Sequence, residues 1–163
     1  MYNHPMTIRK LNESDFSNIL LANNANIPAV SKLNAESLKS LVEKSKRAWV
    51  VEYNGNFAGF CIILGTNQDY NSDNYRWVGD HYENFEYLDR VVINEDFQGR
   101  GLGQKLYKKW FDESDEVPLL LEVNVKPLNA GSIRFHERLG FVSVGEQDTE
   151  NGKKRVQYMA INR

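Results

Sequence analysis

Apolar residues along this chain switch between two spacings. Short apolar-rich runs with strand character fall at residues 7–11, 48–53, 57–64, 85–93, 119–125, 141–146 and 155–161. Between them, apolar residues recur every three or four positions, the spacing of an amphipathic helix. Ser14 stands where it would cap a first helix carrying Phe16, Ile19 and Leu20. A second helix begins near Asn34 and carries Leu38, Leu41 and Val42 on one face. A third carries Leu102, Leu106 and Trp110, and a fourth covers residues 129–139. Asn54-Gly55 is a hairpin signal, because both residue types tolerate positive φ, and Asn151-Gly152 joins the last two strands. Residues 67–84 are polar and aromatic and read as a long loop, a kind of segment that is usually functional or mobile. The order is antiparallel strands, then strand-helix-strand-helix-strand. It predicts an α/β (α+β) fold with one mixed, mostly antiparallel sheet of about seven strands and helices on both faces.

Composition narrows the function more than the fold. The chain has 163 residues, which predicts a single domain over 1–163. Hydrophobic content of 41% and charged content of 26% are those of an ordinary globular protein. A net charge of −2 gives no reason to expect nucleic acid or an anionic membrane as partner. No apolar run approaches the roughly 20 residues of a membrane helix, and the N-terminus lacks a signal-peptide pattern. One cysteine makes no internal disulfide and fits a cytoplasmic location. Cys61 lies in an apolar run, as a small buried side chain would. His4, His81, His136 and Cys61 are scattered without metal-ligand spacing, so no metal is expected.

The segment Gln98-Gly99-Arg100-Gly101-Leu102-Gly103 follows a strand and opens a helix. Helix starts carry unpaired N–H groups and partial positive charge, and glycines let a ligand approach the backbone. The turn therefore suits an anion, phosphate or pyrophosphate above all. A P-loop would need Lys-Ser or Lys-Thr after its last glycine, whereas Gln104 and Lys105 follow here. A dinucleotide-binding turn would need G-x-G-x-x-G spacing, which Gly99, Gly101 and Gly103 do not have.

Gln-x-x-Gly-x-Gly after a strand resembles the acyl-CoA pyrophosphate loop of the GNAT acyltransferase superfamily. A second segment carries the same resemblance. The strand at residues 119–125 leads into Asn129-Ala130-Gly131-Ser132-Ile133-Arg134-Phe135-His136-Glu137-Arg138-Leu139-Gly140-Phe141, similar to the family's helix and its Leu-Gly-Phe exit. Within the family the chain looks most like a bacterial group without an assigned substrate. The resemblance implies a sheet splayed between strands 4 and 5, with the pantetheine arm of acetyl-CoA bonded to the fourth strand at Val91, Val92 and Ile93. A backbone N–H near Val91 or Val92 would then polarise the thioester carbonyl. It implies CoA contacts from Gln98, Gly99, Arg100, Gly101, Leu102, Gly103 and Gln104, and from Asn129, Ser132 and Phe135 on the later helix. Arg100 would add charge near the pyrophosphate or stand as an exposed loop arginine; Asn129 would also cap its helix.

Acyl transfer to an amine needs a neutral nitrogen, a donor for the oxyanion and a proton for the departing thiolate. No covalent nucleophile arrangement is evident, so direct attack in a ternary complex is expected. His136 shares a helix face with Ser132, Ile133, Phe135 and Leu139. It is the candidate acid, although the family usually has tyrosine there, and a hydrogen-bonded core histidine is the alternative. Glu122 shares a strand face with Leu120 and Asn124 and is the candidate base if that face lines the cleft rather than solvent. Asp89 and Glu86 are the fourth-strand alternatives, Asp89 with the competing fate of pairing with Arg90. The loop at residues 67–84 is the candidate acceptor wall. Tyr70, Tyr75 and Trp77 would pack against the acceptor and Asp69, Asp73 and Asp80 attract a cationic amine, unless these aromatics fold back onto the core. The expected activity is N-acetylation of a primary amine, with a small-molecule acceptor ahead of a protein lysine or N-terminus. A CoA-ester sensor without turnover is the rival, and exposed apolar strand edges would suit a homodimer.

Overall fold

The computed structural model describes residues 5–162, so His4 lies outside the described residues. The strands are β1 (Met6–Lys10), β2 (Ser45–Tyr53), β3 (Asn56–Leu64), β4 (Glu86–Ile93), β5 (Leu119–Lys126), β6 (Val142–Thr149) and β7 (Lys154–Ile161). The helices are α1 (Phe16–Asn24), α2 (Ala35–Lys44), α3 (Asp73–His81), α4 (Leu102–Glu113) and α5 (Ala130–Arg138). One seven-stranded sheet runs in the order β1-β2-β3-β4-β5-β7-β6. The β1/β2, β2/β3, β5/β7 and β6/β7 pairs are antiparallel, and β4/β5 is parallel.

The chain divides into two compact units, Met1–Leu64 with Asp89–Ser114, and Gly65–Leu88 with Asp115–Arg163. Strand β4 therefore gives its first three residues to the second unit and the rest to the first. In the first unit the core holds Ile19, Leu38, Leu41, Val50, Phe60, Ile62, Leu106 and Trp110, all almost fully buried. In the second it holds Tyr75, Val78, Phe85, Tyr87, Leu119, Leu120, Phe141 and Tyr158.

Local chemistry explains the element ends. Asn54 and Gly55 take φ of 53° and 79°, which closes the β2–β3 hairpin with a two-residue turn. Asn34 caps α2 by accepting the Ser37 N–H at 2.8 Å. Before α1 the cap is Asn12 rather than the expected Ser14. Asn12 accepts the Ser14 N–H at 3.0 Å and Asp15 accepts the Asn12 N–H at 2.9 Å, a reciprocal arrangement around a 3-10 turn. Asp15 is also gripped by the Arg9 guanidinium at 2.7 and 2.8 Å, and Arg9 holds its carboxyl below the usual range.

The expected loop at residues 67–84 contains α3. Ser72 accepts the Tyr75 N–H at 3.2 Å, and only Tyr75 and Val78 are buried within the helix. Two anchors in nine residues leave too short an apolar stripe for periodicity to register.

The pairing of β4 with β5 is brief. Its register runs Glu86↔Leu119 and Tyr87↔Leu120, at the start of both strands. Beyond it, β4 comes very close to β3. A Cβ on Gly59 would sit 2.3 Å from the Val92 carbonyl oxygen, so only glycine fits there, and the Asn94 N–H donates to the Ala58 carbonyl at 2.8 Å.

Candidate active site

The turn that follows β4 is built from backbone. Gly99 and Gly101 have φ of 77° and 74°, the left-handed region that favours glycine. Gly101 is the N-cap of α4 and has no side chain to offer the first N–H groups of the helix. A Cβ built at either glycine meets no atom within 4 Å, so the turn is open. Leu102 is buried and roots the helix start, while Gly101 and Gln104 are exposed and Gly103 half-buried. The Gln98 amide donates to the Ile93 carbonyl at 3.1 Å and ties the turn back to its strand. Arg100 is exposed but held. Its guanidinium carbon lies 4.8 Å from the Tyr53 ring centroid, and Nη1 donates to the Tyr53 hydroxyl at 3.3 Å.

Val92 is buried, and Val91 and Ile93 are half-buried, as the middle and end of β4. The neighbouring Asp89, an alternative base, takes the competing pairing with Arg90. Its carboxylate accepts from Arg90 Nε at 2.8 Å, and the two side chains are 5% and 4% exposed. Arg90 also donates to Asn23 Oδ1 and the Ser31 carbonyl at 3.0 Å each, and to the Ser31 hydroxyl at 2.9 Å. That carboxylate is joined to a buried guanidinium that also ties to the connection between α1 and α2. Glu86, the other alternative on β4, is fully buried and accepts the Asp115 N–H at 2.9 Å.

Glu122 sits in a different setting. It is half-buried on β5, and its Oε2 accepts the Tyr87 hydroxyl at 2.5 Å. Across the β5/β7 ladder it faces Tyr158. The Tyr158 hydroxyl donates to Asn74 Oδ1 at 2.8 Å and accepts from the Gln147 amide at 3.1 Å. Burial, and then the charge of Glu122, push the Tyr158 phenol well above its ordinary value. The Trp77 indole stacks on the Tyr158 ring at 4.0 Å and 7°, and the His81 ring stacks on Trp77 at 3.9 Å. A Cβ on Gly145 would lie 2.4 Å from the indole. Tyr87 and Tyr158 escaped the sequence reading because nothing local marks them. Their importance comes from strand pairing, which brings residues 35 positions apart into one hydrogen bond.

His136 is 7% exposed, between Phe135 and Phe141, whose rings meet it edge-on at 5.2 and 5.7 Å. Its Nδ1 lies 2.7 Å from the Ser132 carbonyl and 3.3 Å from the Ser132 hydroxyl. A carbonyl only accepts, so Nδ1 carries the hydrogen and Nε2 the lone pair of the neutral ring. Burial pushes the imidazole below its usual value, against the opposing effect of the Ser132 carbonyl. Asn129 caps α5 by accepting the Ser132 N–H at 3.2 Å. Asn129, Ser132, Phe135 and His136 thus belong to one helix, with Ser132 linking the cap to the histidine.

Part of the expected acceptor wall does fold inward. Tyr75 is buried, its hydroxyl donating to the Gly65 carbonyl at 2.5 Å and accepting the Gln68 N–H at 3.0 Å. A cavity of about 750 Å³ remains, lined by Asp69, Tyr70, Asp80, Tyr82 and Glu83 among others. Trp77 and Asp73 are not in its lining. Among the described residues no group of three or more His, Cys, Asp or Glu stands ready for a metal ion. No helix there is long and apolar enough to cross a membrane.

A strand followed by an open glycine turn and a helix, in a seven-stranded sheet with β4 and β5 parallel, defines the class. The sequence profile of the acetyltransferase (GNAT) family matches residues 9–141. The chain belongs to the GNAT acetyltransferase family and is an N-acetyltransferase. It is 30% identical over 126 residues to the spermine/spermidine N(1)-acetyltransferase of Bacillus subtilis, covering 73% of this chain and 77% of that one. Its fold is that of the ribosomal-protein-S18-alanine N-acetyltransferase of Escherichia coli, with a TM-score of 0.74 at 21% identity, over 96% of this chain and 93% of the other. YncA of Salmonella typhimurium, solved with its cofactor acetyl-CoA, superposes with a TM-score of 0.71 at 22% identity, over 96% and 93%.

Proposed function

We propose that the protein transfers the acetyl group of acetyl-CoA to a primary amine of a small cationic molecule, by direct attack. The observation that carries this reading is the open turn at Gly99 and Gly101, which leaves the start of α4 without a side-chain cap. The N–H groups of Leu102, Gly103 and Gln104 would take the pyrophosphate, with Gln98 fixing the turn and Arg100 adding charge. The backbone of Val91, Val92 and Ile93 would hold the pantetheine arm as an added strand, and an N–H near Val91 or Val92 would stabilise the oxyanion. Asn129, Ser132 and Phe135 are proposed CoA contacts on α5.

Glu122 is the proposed base. As an ionised carboxylate it takes a proton from the incoming ammonium, directly or through water, so that the nitrogen attacks as a neutral amine. The C–N bond forms as the C–S bond breaks; nitrogen then sheds a second proton, which balances the one gained by sulfur, and Glu122 passes the first to solvent. His136 points Nδ1–H at the Ser132 carbonyl, and burial favours its neutral ring. His136 stays the proposed proton donor to the departing thiolate, with a hydrogen-bonded core histidine as the alternative. The cavity beside α3, with Asp69, Asp80 and Glu83 among tyrosines, supports a cationic acceptor. So does the polyamine named for the Bacillus subtilis relative.

The test is thiol release from acetyl-CoA with spermidine, spermine, a monoamine panel and an N-terminal peptide. Rapid turnover with polyamines is expected. Turnover with the peptide alone would overturn the small-molecule acceptor, and tight acetyl-CoA binding with no transfer to any amine would favour a sensor.

A further inference from the structure

The hydroxyl of Tyr87 points at the one carboxylate that the proposed chemistry uses, and its ring has little freedom to point elsewhere. Tyr87 is 1% exposed. Its ring meets Tyr75 edge-on at 5.9 Å, and Tyr75 is pinned through its own hydroxyl to Gly65 and Gln68 and packed on Phe85 at 5.7 Å. The register places Tyr87 beside Leu120, two residues before Glu122 on the same face of β5. A carboxylate only accepts, so the phenol donates along the 2.5 Å contact to Oε2.

We infer that Tyr87 is a positioning residue that fixes both the aim and the ionisation of Glu122; this rests on the reading of Glu122 as base. Half-burial alone would favour the neutral acid, which cannot take a proton from the amine. A phenol that hydrogen-bonds the charged form opposes this and favours the carboxylate. Neighbouring groups near Glu122 are set differently. Tyr158 on β7 gives its hydrogen to Asn74. Asp73 at the start of α3 bears a like charge, and it acts on Tyr158. His136 on α5 donates to Ser132, and Arg134, Glu137 and Arg138 of that helix are exposed, as is Lys126 on β5.

The experiment is the pH profile of kcat/KM for the wild type, Tyr87→Phe and Glu122→Gln, with acetyl-CoA binding and thermal unfolding measured on each. Loss of the phenol raises the carboxyl's midpoint, so the acidic limb of Tyr87→Phe moves up by about one pH unit. The plateau at high pH falls as the carboxylate loses its aim, while acetyl-CoA binding and unfolding temperature stay near wild type. Glu122→Gln loses the limb altogether. A limb that vanishes in Glu122→Gln but stays unmoved in Tyr87→Phe would reduce Tyr87 to packing and leave the base intact. A limb and rate that survive Glu122→Gln would remove the base, and the positioning role with it. Carbon-13 titration of the Glu122 carboxyl reads the same shift without turnover, and equal midpoints in wild type and Tyr87→Phe would overturn the inference. Should Tyr87→Phe fail to fold, site-specific fluorination of the Tyr87 ring strengthens the donor at nearly constant shape. The carboxyl midpoint must then fall; a rise or no change would overturn the inference.

Discussion

The turn after β4 and the carboxylate face of β5 solve different problems with different materials. In the proposed function the turn would work through main-chain N–H groups and glycines, with side chains only at its margins, in Gln98 and Arg100. In the same proposal the β5 face would work through side chains, Tyr87, Glu122 and Tyr158, gathered from three strands. A backbone site tolerates changes around it but not in its dihedral angles. A side-chain site keeps its fold when altered but loses its chemistry.

That contrast can be broken in four places. The largest effect should come from Glu122→Gln, with a fall in kcat/KM of about 10²–10⁴-fold at unchanged acetyl-CoA affinity. Steady-state kinetics beside calorimetric binding reads both, and a parallel loss of affinity would mean that the two regions are not separable. Gly101→Val forces a β-branched residue to a φ of 74°, at a cost of about 1–3 kcal/mol. Acetyl-CoA binding should weaken by roughly tenfold or more while the turnover of the saturated enzyme changes little. An equal loss of turnover would show that the turn also governs chemistry. Smaller still is the effect of His136 on stability. Its folded value lies below the unfolded one, so stability is full above about pH 6.5 and falls as pH drops through the folded value. Denaturant unfolding of His136→Gln should give a flatter curve than wild type below about pH 6.5. Arg100→Ala should do least. An exposed guanidinium is worth about 1 kcal/mol at most, so acetyl-CoA binding should weaken no more than about fivefold, and less at high salt. A far larger loss would make the turn a side-chain site after all.

The same contrast explains what could be read from the chain. Gln98 to Gly103 was legible because glycine spacing states a backbone conformation directly, and Asn54-Gly55 announced its hairpin in the same way. The strands were legible because each carries enough apolar residues to register. Helix α3 was not, since Tyr75 and Val78 are its only buried anchors. Asn12 rather than Ser14 caps the approach to α1 because either residue suits that position, and only the intervening 3-10 turn selects one. Asp89 could be weighed against Arg90, but the Asn23 and Ser31 contacts that complete the arginine's shell come from another part of the chain. Tyr87 and Glu122 meet through the register of a two-residue parallel ladder, which no local pattern encodes.

Gly145 offers a last lesson in how absence shapes a protein. The space its missing methyl leaves is filled by the Trp77 indole, so α3 is keyed to the β6–β7 hairpin through a keyhole one carbon wide. Any side chain at that position would push the indole out and turn the helix. The hollow bordered by Asp69, Tyr70 and Asp80 would change shape along with it. A swap of hydrogen for methyl on the far hairpin is thus a lever by which descent could reshape that hollow while leaving every residue lining it untouched.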